Sequence, residues 1–339
     1  MMTKRILIPL ALSPDSLPAH TVGARVVALR GETMGTTWSV SLVVDRQDVA
    51  AANNAIQQAL DSVVSQMSTW ESTSDLSRFN RALPGTWFDL PAGFFTVLEH
   101  AIDIASSSGG AYDPTVGPLV DLWGFGPPGR TAMAPSEPAI AAARAACGWR
   151  KLTLDKQQRR ARQPGGLHVD FSGIAKGYGV DQVAQALRRL GFQSYLVEVG
   201  GELRGQGTKP DGEPWWVELE RPLSVDGKSV TIATTLVALH GLAVATSGDY
   251  RRYFDADGVR YSHTIDPRSG YPVANPITSV TVLHPECMVA DAVATALTVM
   301  GVEEGRMWAS RQGLAALFIT RDESGLQETL TPAMTAMTE

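Results

Sequence analysis

The sequence of 339 residues predicts an α+β fold, in which mixed or antiparallel sheets pack against helices. Strand patterns predominate in the second half of the chain, and several follow one another without a helix between them, which disfavours a doubly wound parallel sheet. Two stretches with helical spacing lie in the first half. Hydrophobic residues make up 44% of the chain and charged residues 19%, which is typical of a globular domain and not of a disordered one.

Individual elements follow from apolar periodicity, which separates helices from strands, and from glycine and proline, which mark turns and loops. In the first half we predict two strands within 25–44 around a turn at 31–35, a helix through Ile56 that ends near Ser68, a helix at 94–107, a long loop at 114–138 and a short helix capped by Ser136. In the second half we predict strands at 167–171, 195–199, 215–220, 229–239, 242–246, 277–283 and 314–320, a hairpin at 252–264, a helix at 174–190, an apolar helix that follows Pro285 and ends at Gly301, and one more helix before the last strand. We expect residues 1–24 to form an N-terminal extension, 25–324 the main domain and 325–339 a loose tail.

The charge of the chain restricts its partners. A formal net charge of −6 argues against a nucleic-acid-binding protein, because neutralising phosphates needs a basic surface. An acidic chain that handles phosphates needs a metal ion, helix N-termini and a few well-placed cations instead. The two cysteines, Cys147 and Cys287, lie far apart without neighbours at metal-ligand spacing, so neither a zinc site nor a disulfide framework is expected.

The N-terminal region and the apolar runs bear on the compartment. Lys4 and Arg5 precede an apolar run at 6–12, which is short for a signal peptide and is interrupted by Pro9. No cysteine follows that run, so lipid attachment is not expected. No run of about 18 uninterrupted apolar residues predicts a membrane span. From these features alone the sequence predicts a cytoplasmic protein.

A carboxylate and a hydroxyl four positions apart form the first candidate site. Asp291 and Thr295 lie in a helix rich in alanine and valine, where residues i and i+4 project from the same face. An unpaired carboxylate is costly in such apolar surroundings. A hard divalent cation such as Mg²⁺, which takes oxygen ligands and shares them with phosphates, would offset that cost. The alternative is a half-exposed helix on which Asp291 faces water.

A strand, a turn and the start of a helix form the second candidate site, within 169–179 (VDFSGIAKGYG). The strand would deliver Asp170 to the turn, and the helix would begin with Lys176 in its first turn. This arrangement favours anions, as at phosphate-binding helix N-termini. It lacks both the Walker spacing and the dinucleotide glycine pattern, so neither of those nucleotide-binding folds is indicated. The alternative is a turn that glycine merely makes flexible.

His263 and Asp266 form the third candidate site, within 261–270 (YSHTIDPRSG). Histidine titrates near neutral pH, which suits proton transfer to or from a hydroxyl group. A strand end would bring His263 next to a turn built on Asp266 and Pro267. A single histidine is more often structural, and that alternative stays open at this point.

Three short segments combine a polar group with an apolar or aromatic side chain at the boundary of an element. They contain Met34, the run Ser68-Thr69-Trp70, and Asp113 within YDPTVG. Such mixtures suit a flat heteroaromatic ligand, since small-molecule pockets are mostly apolar with a few polar groups. The alternative is that these aromatic and methionine side chains are simply part of the core.

Taken together, these segments resemble the bacterial FAD:protein FMN transferases, the ApbE family, from about residue 25 to residue 313. The matching stretches, in the order of the family, are GETMGTTWSV, MSTWESTSDLSRFN, YDPTVGPLVDLWGFG, VDFSGIAKGYGVDQV, VEVGGELRGQG, ATSGDYRRYF, YSHTIDPRSGYPV and ADAVATAL. One such motif would be weak evidence, whereas eight in order are specific. The chain departs from the family at Trp70, where tyrosine is frequent, and in its N-terminal sequence, since many members are exported lipoproteins.

The resemblance implies a fold related to the tunnelling fold, with one FAD site between two lobes. It also implies that Asp291 and Thr295 supply side-chain oxygens to Mg²⁺, together with the backbone carbonyl of Ser172. The residues implied to contact or line the FAD site are Met34, Ser68, Thr69, Trp70, Asp113, Asp170, Ala175, Lys176, His263 and Ile265.

The implied reaction is attack by a serine or threonine hydroxyl of an acceptor flavoprotein on the FMN-side phosphorus of FAD, with AMP as the leaving group and Mg²⁺ bridging the pyrophosphate. His263 is the candidate base, Asp266 its candidate orienting partner, and Lys176 a candidate for offsetting phosphate charge. Asp170 is a candidate for supporting the metal. Two alternatives use the same site: hydrolysis of FAD to FMN and AMP, and flavin binding or delivery without catalysis. The sequence specifies neither the acceptor nor the oligomeric state.

Overall fold

The structure is a computed structural model that describes residues 4–10, 17, 20–129, 133–222, 232–248, 253–256, 259–323 and 325–338. Its strands are β1 (Lys4–Leu7), β2 (Arg25–Thr33), β3 (Thr36–Val44), β4 (Trp87–Asp89), β5 (Thr153–Asp155), β6 (Arg160–Arg162), β7 (Tyr195–Val199), β8 (Glu202–Gln206), β9 (Trp215–Glu218), β10 (Thr234–Leu239), β11 (Leu242–Gly248), β12 (Tyr253–Ala256), β13 (Val259–Ser262), β14 (Ile265–Asp266), β15 (Tyr271–Pro272), β16 (Ile277–His284), β17 (Ala315–Asp322) and β18 (Gly325–Leu330). Its helices are α1 (Val49–Met67), α2 (Asp75–Asn80), α3 (Ala92–Ser107), α4 (Gly117–Leu122), α5 (Glu137–Ala146), α6 (Ala175–Arg189), α7 (Cys287–Arg311) and α8 (Pro332–Thr335).

An antiparallel sheet forms the centre of the molecule, in the order β18-β17-β16-β11-β8-β7-β3-β2. Successive side chains of a strand point to opposite faces, and both faces of this sheet are apolar. In β3, Val40 and Leu42 join one apolar cluster and Val43 joins another. Both faces of the sheet at β3 are therefore packed against apolar side chains. The predicted α+β fold, with antiparallel sheets and packed helices, is confirmed.

Helices cover one face of the central sheet. α1 and α6 pack on β3 and β7 around Ile56, Leu60 and Val183, and α7 packs on β11 and β16. A smaller sheet, β1-β10-β9, and the short helix α8 pack on the other face, where Leu7 and Met334 are fully buried. The candidate residues of the metal site belong to the helical face.

A further apolar cluster lies where α3 and the segment 167–174 meet α7. Phe94 lies edge-on to Phe79 and to Phe171, with ring centroids 6.3 and 5.2 Å apart. Ala292 of α7 joins the same cluster. α7 thus packs on this cluster and on the central sheet at once, and it joins the two parts of the helical layer.

Most of the predicted elements are confirmed. The two strands within 25–44 are β2 and β3, and the helices predicted at 94–107 and 174–190 are α3 and α6. The helix predicted to end at Gly301 is interrupted there, where φ is 81° and ψ is 175°. Because this φ lies in the left-handed region, the right-handed helix cannot continue through the residue. A second helical segment follows, as predicted.

Three local predictions are wrong, and some elements of the structure were not predicted. The predicted loop at 114–138 contains α4, because proline is compatible with the first turn of a helix. Ser136 precedes α5 without a capping hydrogen bond from its side chain, and β8 has no counterpart among the predicted strands. The segment predicted as a strand at 167–171 forms no strand in the described structure. Instead, the Asn80 side chain bonds both the amide and the carbonyl of Val169, each at 2.8 Å.

Segments at both ends of the described chain belong to the fold, which corrects the predicted extension and the predicted loose tail. Within 1–24, β1 pairs in parallel with β10. Within 325–339, β18 pairs with β17, and Thr331 and Met334 are fully buried. Each segment contributes only a few core side chains, so its apolar pattern is too short to be recognised by periodicity.

Parts of several predictions lie outside the described residues. These include positions 130–132 of the loop predicted at 114–138, positions 229–231 of the strand predicted at 229–239, and positions 252, 257 and 258 of the hairpin predicted at 252–264. The described part of that hairpin is confirmed, since β12 pairs with β13 in antiparallel register. Of the helices in the described ranges, none combines the length and the apolar character needed to cross a bilayer.

Candidate active site

Asp291 and Thr295 lie one turn apart on α7, as predicted. Asp291 is buried, with 6% of its surface exposed, and its Oδ2 atom accepts a hydrogen bond from the amide of Gly177 at 3.0 Å. The alternative in which Asp291 faces water on a half-exposed helix is therefore wrong. Since Gly177 lies in the first turn of α6, the carboxylate also joins the two helices.

Lys176, in the first turn of α6, extends its ammonium group between two carboxylates. Its Nζ atom lies 2.7 Å from Oε1 of Glu202 and 3.7 Å from Oδ1 of Asp291. Glu202 begins β8, and only 2% of its side chain is exposed. Buried carboxylates need a nearby cation or hydrogen-bond donors. Lys176 therefore brings a positive charge to this site.

The turn before α6 passes directly against α7. A methyl group at Gly173 would lie 3.0 Å from Oγ1 of Thr295. Asp170, which is buried, shapes the turn by accepting a hydrogen bond from the amide of Ser172 at 2.7 Å. Ser172, Asp291 and Thr295, predicted together as oxygen donors, are thus brought to one junction between the turn and α7.

Tyr112 adds a buried hydroxyl group beside this junction. Its Cε2 atom would lie 3.5 Å from a methyl group at Gly173. In the part of the chain that the structure describes, its Oη atom has no hydrogen-bond partner. Burial raises the pKa of Tyr112 well above 10.0, and the carboxylates of Asp291, Asp170 and Asp113 raise it further. The site therefore concentrates negative charge around a hydroxyl group that stays protonated.

The donors at this junction suit a hard cation. Asp291 offers a carboxylate oxygen, Thr295 a hydroxyl oxygen and Ser172 a backbone carbonyl oxygen, which are the ligand types that Mg²⁺ takes. Within the described ranges, no three histidine, cysteine or acidic side chains form a group that could hold a metal ion. Mg²⁺ usually keeps several waters and shares phosphate oxygens, so a small set of protein donors fits it better than Zn²⁺.

Met34 forms the tight turn between β2 and β3, where its φ is 50°. Its side chain packs against the α1–α6 cluster and against the cluster around α3. In the neighbouring β7–β8 turn, a methyl group at Gly200 would lie 2.9 Å from Thr36 and 3.3 Å from the stem of Lys176. Both turns therefore meet the start of α6, and Met34 is brought close to the Lys176 region.

The run Ser68-Thr69-Trp70 follows α1 directly. Oγ of Ser68 accepts hydrogen bonds from the amides of Trp70 and Glu71, both at 3.1 Å, and its carbonyl accepts one from the hydroxyl of Ser74 at 2.6 Å. Trp70 is 63% exposed. The turn is thus fixed by internal hydrogen bonds, and it presents a flat apolar indole face of the kind predicted for a ligand contact.

Asp113 is buried, and both of its carboxylate oxygens accept hydrogen bonds within the protein. Oδ1 accepts from the amide and the hydroxyl of Thr115 at 2.8 and 2.7 Å, and Oδ2 accepts from the amide of Trp149 at 3.2 Å. Burial raises the pKa of Asp113, and these hydrogen bonds oppose the shift. Asp113 therefore holds the segment before α4 in place, and its contact with a ligand stays a prediction.

His263 and Ile265 lie next to α4 and the segment that follows it. The ring of His263 is edge-on to that of Phe125, with centroids 6.4 Å apart. Ile265 is buried in a cluster with Leu119 and Trp123. This packing fixes the short segment that carries His263 against α4.

Asp266 supports the turn that follows β14. Its Oδ1 atom accepts hydrogen bonds from the amide and from Nε of Arg268, at 2.8 and 3.0 Å. Trp123 fixes the far side of the same turn by donating from Nε1 to the carbonyl of Gly270 at 2.9 Å. The orienting contact between Asp266 and His263 stays a prediction.

The segment 112–125 links the two groups of predicted residues. At its start Tyr112 lies against the turn beside α7, and at its end Phe125 lies against His263. The amide of Asp170 donates to the carbonyl of Pro114 at 2.8 Å, which ties the same segment to the turn before α6. Ala175, the first residue of α6, packs at the edge of the α3 cluster.

Two acidic residues at this site are absent from the sequence predictions. Glu202 pairs with the predicted lysine, and Asp181 of α6 caps α7 by accepting hydrogen bonds from the amides of Cys287 and Met288, at 3.1 and 3.0 Å. Burial raises the pKa of Asp181, and its ion-pair partner Arg204 opposes the shift. Both acids lie in mainly apolar or glycine-rich stretches (GGEL and GYGVD), which is the signal that could have identified them.

Comparisons with known proteins agree on one family. The sequence profile of the ApbE family matches residues 34–318. An FAD:protein FMN transferase of Vibrio cholerae is 43% identical over 307 residues, which cover 90% of each chain. One of Haemophilus influenzae is 38% identical over 341 residues, covering 98% of this chain and 97% of the relative. The crystal structure of the Pseudomonas stutzeri flavinyl transferase ApbE in its apo form superposes with a TM-score of 0.85 at 40% identity, covering 93% of this chain and 97% of the other.

Proposed function

The chain belongs to the ApbE family, and on that basis we propose that it is an FAD:protein FMN transferase. Such an enzyme cleaves the pyrophosphate of FAD and joins FMN through a phosphoester to a serine or threonine of an acceptor flavoprotein, releasing AMP. The observation that carries the proposal is that relatives of this name are 43% and 38% identical over nearly the whole chain. The buried carboxylate and the cationic side chain at the junction of α6 and α7 are consistent with chemistry on phosphates.

Asp291, Thr295 and Ser172 are the residues that would hold Mg²⁺. When bound, Mg²⁺ supplies positive charge to phosphate oxygens on which negative charge develops. The Gly177 amide fixes one oxygen of Asp291 at 3.0 Å, which orients the other oxygen toward the side of Lys176. Lys176 brings a second positive charge to the phosphates, at the start of a helix whose first amides also favour anions.

His263 is the proposed base for the acceptor hydroxyl. The hydroxyl must lose its proton as it attacks phosphorus, and an imidazole can take that proton near neutral pH. The ring of His263 is half-buried and lies edge-on to that of Phe125. Asp266 is proposed to orient the ring.

The flavin is proposed to lie against the exposed face of Trp70, with Met34 and Ile265 as further apolar contacts. Stacking on an indole suits the flat isoalloxazine ring. Further contacts with FAD are proposed for Ser68, Thr69, Asp113, Asp170 and Ala175.

The test is a transfer assay with the full chain. The protein is incubated with FAD, Mg²⁺ and a flavoprotein domain that carries the acceptor serine or threonine, and the mixture is separated on a denaturing gel. We expect a fluorescent acceptor band, and AMP released in equal amount to the FMN attached. Asp291→Asn should lose both signals, whereas the matched substitution Asp103→Asn, at an exposed position of α3, should keep both.

Two other outcomes would replace the proposed function. Release of FMN and AMP without labelling of the acceptor, while the domain is present, would make the protein an FAD hydrolase. Tight binding of FAD that stays intact would make it a flavin-binding or delivery protein. Replacing the acceptor serine or threonine with alanine is the control for the site of attachment, and it should remove the label.

A further inference from the structure

Among the described residues, Lys176 contacts two carboxylate neighbours unequally. Nζ lies at hydrogen-bond distance from Glu202, 2.7 Å, but 3.7 Å from Oδ1 of Asp291. Since Oδ2 of Asp291 is already bound by the Gly177 amide, Oδ1 is the oxygen that faces the ammonium group. A cation that binds Asp291 therefore competes with Lys176 for the same side of the carboxylate.

The β7–β8 turn contacts both the stem and the charged end of Lys176. Glu202 takes the ammonium group, and a methyl group at Gly200 would lie 3.3 Å from Cδ of the lysine stem. The φ of Gly200 is 58°, in the left-handed region that favours glycine, so the turn can approach the stem closely at this position. One short turn thus contacts the lysine at two points: Gly200 lies against the methylene stem, and Glu202 pairs with the ammonium group.

We infer that Glu202 is a positioning residue that holds the ammonium group of Lys176 away from Asp291, so that Asp291 stays open to a divalent cation. The inference rests on the proposed function only for the presence of that cation. If Glu202 loses its charge, Asp291 is the other carboxylate that the described part of the chain places near this partly buried ammonium group. Lys176 would then close on Oδ1 and occupy the position that the cation needs.

The experiment measures binding of Mn²⁺ alone to the full chain, without FAD, by electron paramagnetic resonance of the ion in solution. Mn²⁺ prefers the same oxygen ligands as Mg²⁺. Glu202→Gln should weaken Mn²⁺ binding roughly tenfold, the effect of one added close charge contact at a partly exposed site. Lys176→Met should bind at least as tightly as the wild type, and Glu202→Gln in the Lys176→Met background should have no further effect.

The double-mutant comparison separates positioning from a simple loss of negative charge. If Glu202 acted only through its own charge, Glu202→Gln would weaken Mn²⁺ binding equally with and without Lys176, and the inference would be overturned. Glu198→Gln is the control. It removes the same charge from the neighbouring strand β7, where Glu198 accepts a hydrogen bond from Ser39 at 2.8 Å, and it should leave binding unchanged.

Failure of this inference is distinguishable from failure of the proposed function. Binding that Asp291→Asn abolishes, but that shows no coupling between Glu202 and Lys176, would overturn the inference alone. Wild-type protein without Asp291-dependent binding would overturn both the metal site and the inference.

If circular dichroism shows that Glu202→Gln does not fold, Glu202→Asp replaces it in the same comparison. Its shorter side chain keeps the charge but withdraws it from Lys176, so weaker binding that depends on Lys176 is again expected.

Discussion

His263 contacts Phe125, and its proposed role is to take the proton from the hydroxyl group of the acceptor. FAD does not carry that proton, so the role does not require His263 for FAD binding. We expect His263→Ala to slow single-turnover transfer by about 10²–10⁴-fold, the usual contribution of a general base, while leaving FAD affinity unchanged. Both quantities are measured on the same preparation. His100→Ala, a substitution at a partly exposed position of α3, is the control.

The structural alternative for His263 gives the opposite result. If the ring only packs β13 against the segment after α4, the substitution lowers stability or FAD affinity, and the saturated variant still transfers at full speed. Full-speed transfer would therefore remove His263 from the mechanism.

Tyr112 gives a prediction about stability and pH. Its hydroxyl is buried without a hydrogen-bond partner in the described residues, and such a group costs about 1–3 kcal/mol. We expect Tyr112→Phe to be as stable as the wild type or more stable near neutral pH, by up to about 1 kcal/mol in urea unfolding.

The difference should grow in alkali. Because burial raises the pKa of Tyr112 above 10.0, the unfolded chain loses this proton first. The free energy of unfolding of the wild type therefore falls as the pH rises from 10.0 to the pKa of Tyr112 in the folded state. Tyr112→Phe has no hydroxyl group at this position, so its free energy of unfolding does not show this decrease. A wild type that gains stability relative to Tyr112→Phe above pH 10 would contradict the burial of the hydroxyl.

At the scale of elements, α7 was the most predictable part of the site. Asp291 and Thr295 are four positions apart on a strongly apolar helix, so their shared face follows from local periodicity. Glu202 could not be placed in the same way, because its contact with Lys176 depends on how the β7–β8 turn packs on α6. The sequence motif marked the segment, whereas the pairing is a property of the tertiary fold.

Dependence on long-range partners accounts for several of the wrong predictions. The segment 167–171 has strand-like residues, but Val169 forms hydrogen bonds with the side chain of Asn80, almost 90 positions earlier, and not with a neighbouring strand. β18 and α8 are ordered by β17 and by the core beneath them. Neither partner can be inferred from the local sequence pattern. The spacing of apolar residues indicates which face of an element is buried, but not which other element covers that face.

The corrected tail gives a prediction at this scale. Met334 of α8 is 0% exposed, so Met334→Ala should lower the free energy of unfolding by about 2–5 kcal/mol, the usual cost of truncating a buried methionine. Met307→Ala, at a position of α7 that is 57% exposed, should change it by less than about 0.5 kcal/mol. Equal effects of the two substitutions in urea unfolding would show that α8 does not pack as described.

At the scale of the whole molecule, the proposed substrate should stabilise the fold. A ligand that binds only the native state at 100 times its dissociation constant raises the free energy of unfolding by about 2.7 kcal/mol. We expect FAD to raise the melting temperature more than FMN or NAD at equal concentration, since only FAD would use both the flavin contacts and the pyrophosphate contacts. Equal stabilisation by NAD would point to a generic dinucleotide site and contradict the flavin assignment.

The pairing of β1 sets the order in which the molecule can be completed during its synthesis. Arg5 pairs with Glu328, 323 positions later, at 2.8 Å, and the amide of Ile8 donates to the carbonyl of Met337 at 2.9 Å. A ribosome adds roughly 5–20 residues per second, so β1 waits on the order of tens of seconds for these partners. Leu7 is fully buried in the complete fold, but it lacks its C-terminal neighbours until they have been synthesised. The layer that contains β1 therefore closes only after residues 328–337 have been made, however early the helices form.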